Sequence, residues 1–316
     1  MDELQLLQFE SGRLAKPDRL EAGLAHKIGA ALLEIGESKE RIPRFNVRVN
    51  GSYDFSCRRP TWIISGEVSD FVLNNDLTDL FYSIAFEHYN HLHPTRPVNE
   101  VGIQLNLKPQ ASPLATNFAA GDEGNPIAVA FAHGPNYLPW ERFLSVGIRK
   151  LIDDIYHDQG RVPIHIACAS GVDTLEGLHA DGKISVGCLY DGVALRRLEH
   201  VTVSVEHEEK LPVTELRDKL SRIIQSYINT VSDDYLALLE RLSSRPKEPL
   251  RSAPLVINPL GAWNEGGLFV DDGISEAKPQ EDYFGPYGCM EDSPWGEDPT
   301  KPSGTGTIAA RNAAVH

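Results

Sequence analysis

One order of elements occurs twice in this chain: strand, strand, long amphipathic helix. In the first occurrence RFNVRVNGSYDF alternates apolar and polar residues and contains Asn50-Gly51, a strong hairpin signal, and TWIISGEVS follows as a second strand. LNNDLTDLFYSIAFEHY then has helical spacing, with Asn75 or Asp76 as its cap. In the second occurrence KISVGCLYDG and LEHVTVSVEHEE are the strands, and PVTELRDKLSRIIQSYINTV is the helix, starting near Thr214 to Arg217. Strands apolar on one side and helices with one apolar stripe must bury those faces against each other. The expected fold class is therefore α+β, with repeated β-β-α units forming mixed sheets that carry helices on one face. A further helix, KPDRLEAGLAHKIGAALLEIGES, precedes the first pair, with Pro17 in its first turn and Leu20, Leu24, Ile28, Ala31 and Leu32 on one face.

These elements divide the chain into a first repeat over 10–118, a second over 119–242 and a remainder over 243–316. The remainder opens on the linker-like SSRPKEPLRSAP and continues, after LVINPLG, into a stretch rich in Gly, Pro and acids. A polar tail of that composition is expected to be disordered or laid over a surface. The formal charge of -15 disfavours nucleic-acid backbone and anionic membrane as partners, while leaving room for a nucleotide in a lysine-lined cleft. The four cysteines are far apart with no C-x-x-C, so neither zinc nor a disulfide framework is indicated. MDELQLLQFE lacks the regions of a signal peptide, and a reducing cytoplasm is the expected location.

Candidate chemistry is scattered. HYNHLHP offers His88, His91 and His93, but Pro94 pushes His93 out of helical geometry, so a helix-end surface cluster is expected rather than a metal site. No G-x-S-x-G, Walker A or G-x-G-x-x-G sequence is present. NFAAGDEGNP holds Asp122 and Glu123 between two glycines, where acids repel phosphate and permissive backbone lets a ligand approach closely. SGEVSD adds Glu67, LHADGKISV adds Asp181 and Lys183, INPLGAW adds Trp263, and FVDDGISEAKPQED adds Asp271 and Lys278.

In that order these segments resemble the S-adenosylmethionine synthetase family. KPDRLEAGLAHKIGAALLE is similar to the family's H-P-D-K helix, GEVS to its G-E-I-T strand, AAGDEG to G-A-G-D-Q-G and ADGKISV to D-A-K-x-Q-V. VTVSVEHEE resembles the S-x-Q-H strand, INPLGAW resembles I-N-P-x-G-x-F, and EDPTK resembles the K-D-P-x-K loop. The resemblance runs from about Glu10 to Arg311 and implies a pseudo-threefold fold whose third repeat is reduced or absent here.

The resemblance also implies a reaction: methionine sulfur, or that of a related compound, attacks C5′ of ATP and expels the triphosphate, giving S-adenosylmethionine or an analogue. Such a displacement needs cations and Mg²⁺ around the departing polyanion and carboxylates around the new sulfonium and the amino-acid ammonium. By resemblance, Lys16, Lys183 and Lys278 take catalytic positions at the phosphate end, with Lys301 a further phosphate contact and Asp18 a magnesium ligand. Glu67, Asp122 and Asp271 would face the ammonium and sulfonium, Asp181 a ribose hydroxyl, and Trp263 the adenine. Mg²⁺ and K⁺ are the implied ions, ATP and methionine the small-molecule partners, and a homodimer the minimum unit, because the family's site lies between two subunits.

The departures lie mostly at the phosphate end. Lys16 replaces the family's histidine and Arg19 its lysine, while Ala277, Glu297 and Ser303 stand where an arginine, a lysine and a magnesium aspartate are expected. Phe45 stands at the position of the potassium-site acid. Two alternatives follow from these departures: a transferase of specialised metabolism with altered triphosphate handling, or a non-catalytic regulatory homologue.

Overall fold

The computed structural model describes residues 4–73, 75–109, 135, 138–192, 194–241 and 253–270. Its first sheet is built from β2 (Phe45–Asp54), β3 (Arg59–Val68) and β4 (Gly102–Pro109), in the order β2-β3-β4. β2 and β3 run antiparallel, and β3 and β4 run parallel, joined through α3 (Leu77–Leu92) after the short α2 (Asp70–Leu73). The second sheet has the order β1-β5-β6-β7, from Leu4–Gly12, Leu178–Asp191, Ala194–His207 and Leu255–Ile257. Here β5 and β6 form the antiparallel pair, α6 (Val213–Arg241) follows, and β7 returns parallel to β6. Both units thus read hairpin, helix, parallel strand, the mixed-sheet arrangement expected from the pattern.

The alternation sets which face is covered. Phe45, Val47, Val49, Trp62, Ile64 and Val68 point into one core with Leu20, Leu24, Ile28 and Leu32 of α1 (Pro17–Ser38) and Phe81 of α3. Ile184, Val186, Cys188, Val201, Val203 and Val205 point into another with α6, α4 (Trp140–His157) and α5 (Ile164–Ser170). On the open faces Leu6, Ile63 and Lys183 remain exposed. Among the described residues, no helix is long and apolar enough to cross a membrane.

Two expectations are corrected. The chain does not turn at Asn50-Gly51: β2 passes straight through, with Asn50 opposite Ile63 and Gly51 opposite Trp62. The glycine serves close approach instead, because a Cβ there would lie 2.4 Å from the buried indole of Trp62. The turn comes at residues 55–58, where the Asp54 carboxylate accepts from Ser56 N, Ser56 Oγ and Cys57 N, and Arg58 takes a left-handed φ of 55°. Nor is the histidine run a surface cluster. His88 and His93 are buried, and only His91 of the three reaches outward, stacking on His157 of α4 at 5.3 Å. Asp76 does cap α3, accepting from Asp79 N.

The two buried imidazoles make stability depend on pH. Burial is the largest cause that lowers His88, to about 4, helped by Lys27; burial likewise lowers His93 to about 4, against the pull of Glu206. The unfolded histidines titrate near 6.5. Between those values the unfolded chain binds more protons, so stability is full above about pH 6.5 and falls as pH drops toward 4. The loss is on the order of 3 kcal/mol per histidine. Urea midpoints measured from pH 7.5 to 4.5 will fall in the wild type and fall less in His88→Gln and His93→Gln; parallel slopes would remove these residues as the cause.

Candidate functional site at the seam between the two units

The seam begins where β1 hands over to α1. The ladder with β5 continues past Gly12 through Arg13 N donating to Gly182 O and Ala15 N to Ala180 O. That brings Lys16, the N-cap of α1, beside Asp181 of β5, with Nζ 3.6 Å from Oδ1. Residues 261–269 then cross from the second sheet to the first unit as a strap. The strap starts after β7 and ends with Leu268 buried in the first core, where Phe269 packs edge-on to Tyr53.

Asp181 is 1% exposed and holds the strap down. Its Oδ2 accepts from Gly267 N at 2.6 Å, and its Oδ1 accepts from Gly182 N at 2.6 Å. Gly266 passes so close that a Cβ would meet Asp181 Cβ at 2.7 Å and Glu206 Oε2 at 3.0 Å, so no side chain fits between the two acids. At the other end of the strap, Trp263 O accepts from His207 N, and Trp263 N donates to His207 Nε2 at 3.4 Å. Nδ1 of the same ring lies 3.0 Å from Glu208 O, so the proton sits on Nδ1 and Nε2 is the acceptor. Lys16 Nζ stands 5.7 Å from the centre of the half-buried Trp263 ring, within cation-π range.

Glu206, beside the strap, is 2% exposed. Arg96, from the loop after α3, donates from Nη1 to Glu206 Oε1 at 2.6 Å and from Nη2 to Asn264 O at 3.3 Å. Burial works to raise the Glu206 carboxyl, but nearby His179, with Nδ1 3.5 Å from Oε1, and the charge of Arg96 outweigh it and hold the pKa below the ordinary value.

Of the residues read from sequence, Lys16, Asp181 and Trp263 come together. Lys183 does not join them; its exposed ammonium pairs with Glu10 of β1 at 2.5 Å. Glu67 is exposed on β3, with no hydrogen bond or ion pair to the group. Asp18 lies in the first turn of α1, its side chain outside the described set, and Asp122, Asp271, Lys278 and Lys301 lie outside the described residues altogether. Phe45 is 1% exposed in the first core, so hydrocarbon occupies the place where the resemblance puts a potassium ligand. Among the described residues no three His, Cys, Asp or Glu side chains stand close enough to hold a metal ion. Arg96 and Asn264 lie in no motif, and Glu206, though inside VTVSVEHEE, is not among the residues read as site residues.

No family model matches the chain. In sequence it is 26% identical over 199 residues to the S-adenosylmethionine synthase of Aquifex aeolicus, covering 62% of this chain and 45% of that one. To the S-adenosylmethionine synthase of Staphylococcus epidermidis it is 27% identical over 202 residues, covering 62% and 42%. The chain thus spans less than half the length of the curated relatives it matches. In fold it is similar to an S-adenosylmethionine synthetase of Campylobacter jejuni described as unusual, with TM-score 0.65 and 18% identity over 97% of this chain and 72% of that one.

Beneath the site lies Arg13, fully buried. Its Nε donates to Asp153 of α4 at 2.9 Å, and its Nη1 donates to His179 O at 2.5 Å and Asp181 O at 3.3 Å. Removing it takes the closer of two guanidiniums from Asp153, leaving only Arg149 with Nη1 3.4 Å from Oδ2, so Arg13→Met will cost about 2–3 kcal/mol. Adding Asp153→Leu will recover much of that loss, as measured by urea denaturation. A single-mutant loss below about 1 kcal/mol would show that the pair is not needed to compensate burial.

Proposed function

We propose that this chain, a divergent S-adenosylmethionine synthetase-like protein in sequence and fold, is a methionine adenosyltransferase-like enzyme that joins a thioether sulfur to the adenosyl carbon of ATP. The observation that carries the reading is the meeting of Lys16, Asp181 and Trp263 at one seam, from three distant parts of the chain. They are the residues the resemblance assigns to phosphate, ribose and adenine. A cation, a hydrogen-bond acceptor and a large π-face together are what an adenine nucleotide requires.

In this reading the sulfur lone pair forms the bond to C5′ as the C5′–O bond breaks and its electrons leave with the triphosphate. Lys16 offsets charge on that leaving group. Trp263 stacks on adenine where the family has phenylalanine. Asp181 accepts from a ribose hydroxyl, but each of its oxygens accepts a backbone N–H and the carboxylate is covered, 1% exposed. A nucleotide must therefore displace Gly267 N or Lys16 to reach it.

Asp122, Asp271 and Glu67 are proposed for the ammonium and sulfonium end, and Lys183, Lys278 and Lys301 for phosphate. Lys183 would first have to leave Glu10. Mg²⁺ would neutralise triphosphate charge with Asp18 as a ligand. K⁺ does not fit the residue present at its position, since Phe45 offers no oxygen from its side chain. A homodimer is the proposed working unit. The diverted Lys183 and the hydrocarbon at Phe45 favour a second reading, a nucleotide-dependent transferase with altered triphosphate handling.

Incubating the intact chain with ATP, methionine, Mg²⁺ and K⁺, then seeking the sulfonium by mass spectrometry, tests the first reading. Product is expected, and Trp263→Ala will raise the KM for ATP about tenfold or more, the worth of one stacked base. Absence of product at high protein concentration, with product from another triphosphate or nucleophile, would move the assignment to the second reading.

A further inference from the structure

We propose that Arg96 is a positioning residue that anchors the Trp263 end of the strap while its Gly266–Gly267 end gives way to a ligand; the inference rests on the nucleotide reading above. The two ends of the strap are held differently. At the Trp263 end, both backbone groups of Trp263 bond to His207, Asn264 Nδ2 donates to His207 O at 2.7 Å, and Asn264 O accepts from Arg96. At the other end, Gly267 N rests on Asp181 Oδ2, the oxygen a ribose hydroxyl would claim. Gly267 has φ 78° and Gly266 has no side chain, so the backbone between Trp263 and the core-packed Leu268 can turn at these two residues without moving a side chain.

Arg96 suits the anchoring role for three reasons. Pro94 and Pro97 flank it and its amide donates to His93 O at 3.0 Å, so its backbone is set by a stiff turn. Its fork reaches two acceptors at once, Glu206 Oε1 and Asn264 O, which an ammonium on the same stem would match poorly. Glu206 is buried, with His179 Nδ1 3.5 Å from Oε1, so its carboxylate cannot swing to water and holds Arg96 in place. Glu206 Oε2 faces Gly266, which brings the same acid against the strap between its fixed and movable parts. A residue of the first unit thereby sets where the indole stands in a site built mostly from the second.

The test uses the full chain and its Arg96→Ala and Arg96→Lys variants, measuring backbone hydrogen exchange across residues 261–269 together with KM and kcat for ATP. In Arg96→Ala the amides of Trp263 and Asn264 should exchange about tenfold faster, with KM for ATP up about tenfold and kcat within about threefold, because anchoring affects ground state and transition state alike. Arg96→Lys should recover only part of both changes; if the alanine variant does not fold, the lysine variant carries the comparison. Unchanged exchange with unchanged KM overturns the proposal, as does a fall in kcat with KM unmoved. If the wild type neither binds ATP nor turns it over while Arg96→Ala still loosens residues 263–264, the nucleotide reading fails and the anchoring role stands.

Discussion

A guanidinium with no exposed surface sits where the two units meet, and the geometry of the seam follows from what it requires. A buried cation is tolerated only when carboxylate and carbonyl oxygens replace its water. Arg13 obtains them from Asp153 of α4 and from two carbonyls of β5, His179 O and Asp181 O. Those bonds fix the β5 backbone on either side of Ala180 and so fix where the Asp181 side chain emerges. Asp181 in turn holds Gly267, and Gly267 brings Leu268 into the first core. Electrostatic compensation at one residue thus propagates, through backbone positions rather than flexible side chains, to the strap and to the packing of both units.

Local pattern was enough to read the paired strands and long helices because each buries one face against a single layer. It failed where a residue answers to a neighbour distant in sequence. Asn50-Gly51 carries hairpin chemistry, yet Gly51 is occupied with making room for Trp62, and its N–H bonds to the buried Glu21 carboxylate of α1. β2 is an edge strand of its sheet, and that bond satisfies an outward donor that a turn would have left in another direction. Leu4–Gly12 shows the converse. Read for targeting signals alone, it yields no assignment, and its place as a strand depends on β5, whose partner residues lie some 180 positions onward.

The site divides the same way. Lys16, Asp181 and Trp263 were legible because they fall inside segments with the order and spacing of a known family. Lys183 lies in one of those segments too, but strand alternation turns it to the open face, where Glu10 waits on the neighbouring strand. Arg96 and Glu206 are separated by 110 residues; Arg96 lies in no motif, and Glu206 lies within VTVSVEHEE without being singled out there. Their pairing is created by folding one unit against the other, so only coordinates reveal it.

Lys16 is where these constraints converge. It occupies the N-cap of α1, a position where side-chain oxygens usually satisfy the first amides, and it makes no side-chain cap. An ammonium there is disfavoured by the positive end of the helix dipole. That cost is offset by Asp181 at 3.6 Å and by the Trp263 face at 5.7 Å. Both partners depend on the strap: Trp263 is carried by it, and Asp181 is covered by it. In the nucleotide reading, a ribose hydroxyl taking the place of Gly267 N on Asp181 Oδ2 would leave Lys16 on Oδ1 beside Trp263, placed where an incoming phosphate would meet both its charge and the helix N-terminus. One buried carboxylate thus meets both the strap and the cation, Oδ2 toward Gly267 N and Oδ1 toward Lys16, so in the nucleotide reading the strap and the lysine would answer to the same ligand.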